Sequence, residues 1–258
     1  MKPLALVTGA TSGIGRAYAE ALSADGYDLI LVGRQVDRLD EFVASHRDTP
    51  IRTVSADLAT DDGVATVARL CADEPLTMLV NNAGVANYMP LDVLPPEKAR
   101  EVMSVKVVAP TMLARAAVAG MKTRGEGVII NVAGMIAFSG PAQASGRVVY
   151  GGALAYLVTM SQILSAELAG TGVRVQVVCP GIVATEFHSR QGLDMSQVPR
   201  MSAQDVVTAS LRGLELGEVV TAPGLEDAGL LETVFQSELT AFRAQGTTLA
   251  TRYRQADS

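Results

Sequence analysis

The sequence predicts an α/β fold, a doubly wound parallel seven-stranded sheet with helices on both faces. Three observations predict it. Short β-branched or leucine-rich runs alternate with longer helical patterns, a glycine-rich turn links the first run to the first helical pattern, and runs such as Gly127-Val-Ile-Ile-Asn-Val132 are apolar on both faces. Alternation of this kind implies parallel strands joined by crossover helices.

Strands are expected at 4–7, 28–32, 51–55, 77–81, 127–132, 173–178 and 218–221, and helices at 13–25, 35–46, 61–73, 97–121, 150–169 and 202–215. The first strand is the apolar run Leu4-Ala-Leu-Val7, and the helical pattern Arg16-Ala-Tyr-Ala-Glu-Ala-Leu follows its turn. The second strand ends Leu31-Val-Gly33-Arg34, the third is followed by Asp57-Leu58, and the fourth by Asn81-Asn-Ala-Gly84. The helix opening at Tyr150 carries Leu154, Leu157, Val158, Ile163, Leu164 and Leu168, more apolar surface than one packing face needs. A homodimer or homotetramer through the 150–169 helix is therefore expected. Residues 186–201 have neither strand nor helix period; a substrate lid and an unstructured surface loop are both open readings. With no repeat or linker, the chain reads as one domain over 1–258, with a helical, partly charged tail near 226–258.

Composition narrows the function. The chain has 258 residues, 48% of them hydrophobic, enough to bury one large core. A net charge of −6 and the absence of any basic run argue against nucleic acid as a partner. Cys71 and Cys179 fit no zinc or disulfide spacing and read as small buried hydrophobes in a reducing cytoplasm. The N-terminal apolar run is too short for a signal peptide or a membrane span. Only His46 and His188 are histidines, which leaves no histidine-based metal site.

Thr8-Gly-Ala-Thr-Ser-Gly-Ile-Gly15 lies between a strand and a helix, where backbone N–H groups and the helix dipole can face a diphosphate. No acidic residue stands at Gly33 to accept bonds from a ribose 2′-hydroxyl. Arg34 beside it can pair with a 2′-phosphate through its planar fork, so NADP(H) is preferred over NAD(H); the alternative is a solvated arginine opening the next helix.

The spacing Gly9, Gly13, Gly15, with Asp57-Leu58, Asn81-Asn-Ala-Gly84 and Pro180-Gly-Ile-Val-Ala-Thr185, resembles the short-chain dehydrogenase/reductase family over roughly residues 3–221. The resemblance implies a Rossmann fold in which Gly9, Ser12, Gly13, Ile14 and Gly15 hold the pyrophosphate. It places Asp57 and Leu58 at the adenine and Asn82, Ala83 and Gly84 on the adenosine ribose side. Val183 and Thr185 would meet the nicotinamide carboxamide, on the loop that Pro180 and Gly181 begin.

The family's site is an Asn, a Ser, a Tyr and a Lys. Tyr150 matches the tyrosine, but Leu154 occupies the lysine position, Gly134 the serine position and Lys106 the asparagine position. Ser139 and Ser145 are weak replacements for the serine. Residues i and i+4 share a helical face, so the family's cation would have stood beside the phenol. An isolated phenol has a pKa of about 10, and a neighbouring cation lowers an acid's pKa by roughly 1 to 3. Without that cation Tyr150 is neutral at pH 7, able to donate a proton but poor as a base. Two readings of Lys106 stand, a relocated ammonium serving the site or a lysine snorkelling to solvent. Arg147, three residues before Tyr150, is a second candidate cation.

Three functions follow as expectations. One is an atypical NADPH-dependent reductase of a neutral, medium-sized organic molecule, in a pocket of Met135, Ile136, Phe138, Phe187 and Met195. Another is a non-redox cyclase, isomerase, dehydratase or lyase with a structural cofactor. The third is a catalytically silent NADP(H)-binding protein.

Overall fold

The computed structural model describes residues 2–142 and 145–254; positions 1, 143–144 and 255–258, the last four of the expected tail among them, lie outside the described residues. Its contacts divide the chain into two compact units, Met1–Gly224 and Leu225–Ser258.

The first unit holds a seven-stranded parallel sheet in the order β3-β2-β1-β4-β5-β6-β7. The strands are β1 Leu4–Thr8, β2 Asp28–Gly33, β3 Ile51–Ser55, β4 Met78–Asn81, β5 Gly127–Val132, β6 Val173–Val178 and β7 Val220–Thr221. Helices α1 Gly13–Ala24, α2 Val36–Ser45, α3 Asp61–Asp73, α4 Pro96–Met103, α5 Ala109–Arg124, α6 Val148–Glu167 and α7 Ala203–Leu216 connect them. Two hydrophobic clusters flank the sheet. One joins Val7, Tyr18, Leu31 and Val206; the other joins Leu6, Ile30, Leu79, Leu113 and Val175. Alternate residues of β1 and β2 thus enter opposite layers, which is why these strands read as continuous apolar runs. Each fully buried Leu or Val contributes roughly 1.5–3 kcal/mol to folding.

Pro96–Arg124 and Val148–Glu167 are long and apolar enough, with mean hydropathy 1.5 and 1.4, to pass for membrane spans by composition alone. Both instead supply the layers against the sheet, α5 through Leu113, Ala117 and Met121 and α6 through Leu157 and Val158. A buried relay fastens α6 to the sheet. Asn81 Nδ2 donates to Asn131 Oδ1 at 2.9 Å, Asn131 Nδ2 to Ser161 Oγ at 2.9 Å, and Ser161 Oγ to the Leu157 carbonyl.

The helix expected as one piece over 97–121 is interrupted. Residues Ser104–Val108 form a π turn between α4 and α5, with the Ala109 N–H bonded to the Ser104 carbonyl. Pro110 explains it, because a proline lacks the N–H that would reach the carbonyl four residues back, that of Lys106, and its ring would crowd that carbonyl.

Sheet order reverses between β1 and β4, so a crevice opens beyond their carboxyl ends. The glycine turn follows β1 and Asn82–Gly84 follow β4, which brings the two motifs into direct contact at the crevice, where a Cβ on Gly9 would lie 2.9 Å from Ala83 Cα. In the second unit, α8 Gly229–Arg243 starts where Asp227 Oδ1 accepts from the Gly229 N–H at 2.9 Å, and none of its side chains is buried.

Candidate active site

A cavity of about 770 Å³ occupies that crevice, and the residues chosen from the sequence converge on it. At one end lie Gly9, Ser12, Gly13 and Ile14 of the turn, with Arg34, Asp57 and Leu58 beyond β2 and β3. Asn82, Ala83 and Gly84 after β4 line it, as do Pro180, Gly181, Val183 and Thr185 after β6. Lys106, Tyr150 and Leu154 line the other end. Gly15 does not line it. Its role is close packing beneath the turn, where a Cβ would lie 2.3 Å from the Gly9 carbonyl oxygen.

The turn is shaped for an anion. Gly9 and Gly13 have φ of +67° and +55°, and a Cβ on either would come within 2.9 Å of Ala83 Cα or Thr185 Cγ2. Ser12 is the N-cap of α1 but its side chain makes no capping bond, so the first N–H groups of the helix are left for a ligand. Asn82 braces the turn from behind, its Nδ2 donating to the Thr8 carbonyl at 3.0 Å and the Gly9 carbonyl at 3.3 Å. This donor set suits the diphosphate of a dinucleotide. Arg34 stands at the far edge, 57% exposed, with only 4.0 Å approaches to Asp57 and Glu101.

Lys106 faces inward, not to solvent. It is 4% exposed, and its Nζ donates to the Val132 carbonyl at 3.0 Å. Burial pushes its ammonium down from 10.5 to about 8. The snorkelling alternative is therefore overturned; the π turn, which the sequence reading missed although Pro110 signals it, directs the side chain under Gly84.

Tyr150 is 8% exposed, with its ring edge-on to Tyr88 at 5.4 Å and tilted against Phe187 at 6.0 Å. Burial raises its phenol well above the ordinary value of 10, and Tyr88 adds to the effect. Leu154 is completely buried, one turn along α6. Gly134, in extended backbone, supplies no hydroxyl, and a Cβ there would meet only ordinary contacts with the Pro180 oxygen and Leu154 Cδ1. Ser139 reaches the cavity, but its Oγ donates to the Ile136 carbonyl; Ser145 does not line it.

Of the expected apolar pocket, Met135, Ile136, Phe187 and Met195 line the cavity and Phe138 does not. Arg147 lines it with its guanidinium 5.7 Å from the Tyr88 ring centre. The 186–201 loop is hydrogen-bonded. Its ends are pinned by Ala184 N to Met201 O and Met201 N to Ile182 O, and a short helical turn, Ser189–Gln191, lies within it. Two of its residues went unassigned in the sequence. His188 lines the cavity with a buried Nδ1 lacking a hydrogen bond, and burial lowers its pKa. Arg190 lines it too, and only the folded chain brings it to Ser12.

Known proteins share this fold. A family model described as short chain dehydrogenase matches residues 3–195. An uncharacterized oxidoreductase of Staphylococcus epidermidis is 31% identical over 213 residues, 82% of this chain and 90% of its own. A short-chain dehydrogenase from Sphingobium yanoikuyae, solved in complex with NADPH, is similar with a TM-score of 0.92 at 31% identity, covering 97% of this chain and 100% of that one. The bulky-bulky ketone specific alcohol dehydrogenase from Comamonas testosteroni follows with a TM-score of 0.88 at 28% identity, covering 97% and 98%. With the matched segment running from β1 into the loop that lines the cavity, this chain belongs to the short-chain dehydrogenase family.

Proposed function

We propose that this short-chain dehydrogenase is an NADP(H)-dependent reductase of a neutral, medium-sized carbonyl compound, with a site that departs from the family's Asn-Ser-Tyr-Lys set. The observation that carries the reading is Lys106, buried, held by the Val132 carbonyl and lining the same cavity as Tyr150. The glycine turn, the uncommitted α1 N–H groups and the lightly paired Arg34 favour a dinucleotide with a 2′-phosphate. NADPH in the similar Sphingobium yanoikuyae enzyme supports the same choice.

A reduced nicotinamide, when bound, supplies the hydride. The chain supplies the rest. Tyr150, kept neutral by burial, donates its phenolic proton to the carbonyl oxygen as negative charge grows there. Lys106, largely protonated below about pH 8, places a positive charge in the same low-dielectric cavity and favours that oxyanion. The reverse reaction needs a base to take an alcohol proton, and a phenol raised by burial is ill suited to it. At neutral pH Tyr150 therefore stands in the form that donates a proton rather than the form that removes one.

Met135, Ile136, Phe187 and Met195 exclude water and fit an apolar body of adaptable shape. The ketone specificity in the name of the similar Comamonas testosteroni enzyme supports a ketone as the carbonyl. Exposed Val148, Tyr156 and Ile163 on α6 and Met112 on α5 support a homodimer or homotetramer through α6. A cytoplasmic setting agrees with the two free, buried cysteines.

The test is NADPH oxidation with neutral ketones, imines and activated alkenes. Consumption of NADPH in step with substrate is expected. Product without change in cofactor oxidation state would favour a non-redox lyase, isomerase, dehydratase or cyclase, a reading supported by the fully buried Leu154 standing one helical turn from Tyr150. Tight binding of NADPH with no turnover would make the protein a silent binder.

A further inference from the structure

We infer that Arg190, carried by the loop after β6, is a cofactor-diphosphate-binding residue, held in position by Glu186 and Arg38. The inference rests on reading the cradle as an NADP(H) site. Arg190 Nη2 donates to Ser12 Oγ at 3.2 Å, in the middle of the glycine turn, although the two residues lie 178 apart in sequence. The same nitrogen bonds Glu186 Oε2 at 2.5 Å. Arg38 Nη1, from α2, grips both oxygens of that carboxylate at 3.0 and 2.9 Å.

Two cations share one carboxylate, so the triad presents a surplus positive charge at the mouth of the cradle. A surface ion pair on its own contributes little. What sets this one apart is its third contact. Arg38 and Glu186 tie the loop to α2, and the guanidinium they orient ends on the N-cap residue of the helix whose N–H groups face the cavity. A guanidinium has five N–H donors in a planar fork, and Glu186 and Ser12 engage one of its nitrogens. The remaining donors can reach a diphosphate lying along the turn without breaking the Arg38–Glu186 pair. The α1 N–H groups would then bind one side of the anion and Arg190 the loop side.

Titration of NADPH and of adenosine 2′-monophosphate, which has the 2′-phosphate but no diphosphate, separates this role from a structural one. Arg190→Ala should weaken NADPH binding by about tenfold or more, as loss of a charge-assisted hydrogen bond does, and leave adenosine 2′-monophosphate binding unchanged. Arg190→Lys should recover part of the loss. Glu186→Gln should weaken NADPH less, and should have no further effect in the Arg190→Ala background, as expected of a positioning residue. If Arg190→Ala binds NADPH as the wild type does, or loses both ligands equally, the inference is wrong while the cofactor reading stands. A wild-type protein that does not bind NADPH overturns both.

Discussion

Gly84 and Lys106 are fitted to one another: a Cβ at position 84 would lie 2.7 Å from Cε and 2.9 Å from Nζ of Lys106. The glycine of the Asn81-Asn-Ala-Gly84 motif therefore does more than turn the chain after β4. It leaves the channel through which a buried lysine reaches the Val132 carbonyl at 3.0 Å.

Gly84→Ala should accordingly dislodge Lys106. The backbone can stay in place because the tip of a lysine is mobile, so the fold should persist while the ammonium loses its bond to Val132. Loss of such a charge-assisted bond corresponds to about tenfold or more, and kcat/KM for reduction should fall by that order. Reactivity of Lys106 toward an amine-labelling reagent across pH should shift with it. An alanine variant with unchanged labelling and unchanged kinetics would show that the fit is incidental.

The buried ammonium also makes a prediction for stability. In the unfolded chain the lysine titrates at its ordinary 10.5, and in the folded protein at about 8. Between those values the unfolded state binds more protons, so this group's contribution to stability rises with pH across that window, as the cost of burying the charge is relieved. Cys71 and Cys179, both pushed up to about 12 by burial, act oppositely above pH 9, so the whole-protein curve mixes the two. The difference between wild type and Lys106→Met isolates the lysine. Denaturant unfolding should show the variant's relative stability declining from pH 8 to 10.5. A difference that is flat with pH would place the ammonium in contact with water.

On the proposed NADP(H) reading, Arg34 would set the choice of cofactor. Its guanidinium has only 4.0 Å contacts to Asp57 and Glu101 and is free to pair with a 2′-phosphate. Arg34→Ala should weaken NADPH binding by about tenfold or more and leave NADH binding nearly unchanged. Equal losses for both cofactors, or tighter binding of NADH by the wild type, would contradict the role.

The sequence made the frame legible and the fine geometry less so. Strands buried on both faces announce themselves as unbroken apolar runs, and the expected β1 to β6 lie within a residue of the observed ones. The motifs at their carboxyl ends were legible because Gly, Asn and Asp have few uses at such positions. Lys106 was ambiguous because a regular helix over 97–121 leaves its direction open; in the folded chain it lies in a π turn next to Pro110, which cannot donate to the Lys106 carbonyl, and it is buried. Arg190 was invisible for a different reason. Its link to Ser12 spans 178 residues and depends on where the loop folds, which no local pattern encodes. Gly15 shows the converse, since a motif position can serve packing beneath a site without lining it.

The most direct test of the central claim, that reduction uses a neutral Tyr150 with a buried Lys106 ammonium, is the pH dependence of NADPH oxidation by a neutral ketone in wild type, Lys106→Met and Tyr150→Phe. Wild-type kcat/KM should fall as pH rises through about 8, a limb that disappears in Lys106→Met. Tyr150→Phe should lose about 10²- to 10⁴-fold. A wild-type profile reproduced unchanged by Lys106→Met, or product formed while NADPH stays reduced, would contradict it.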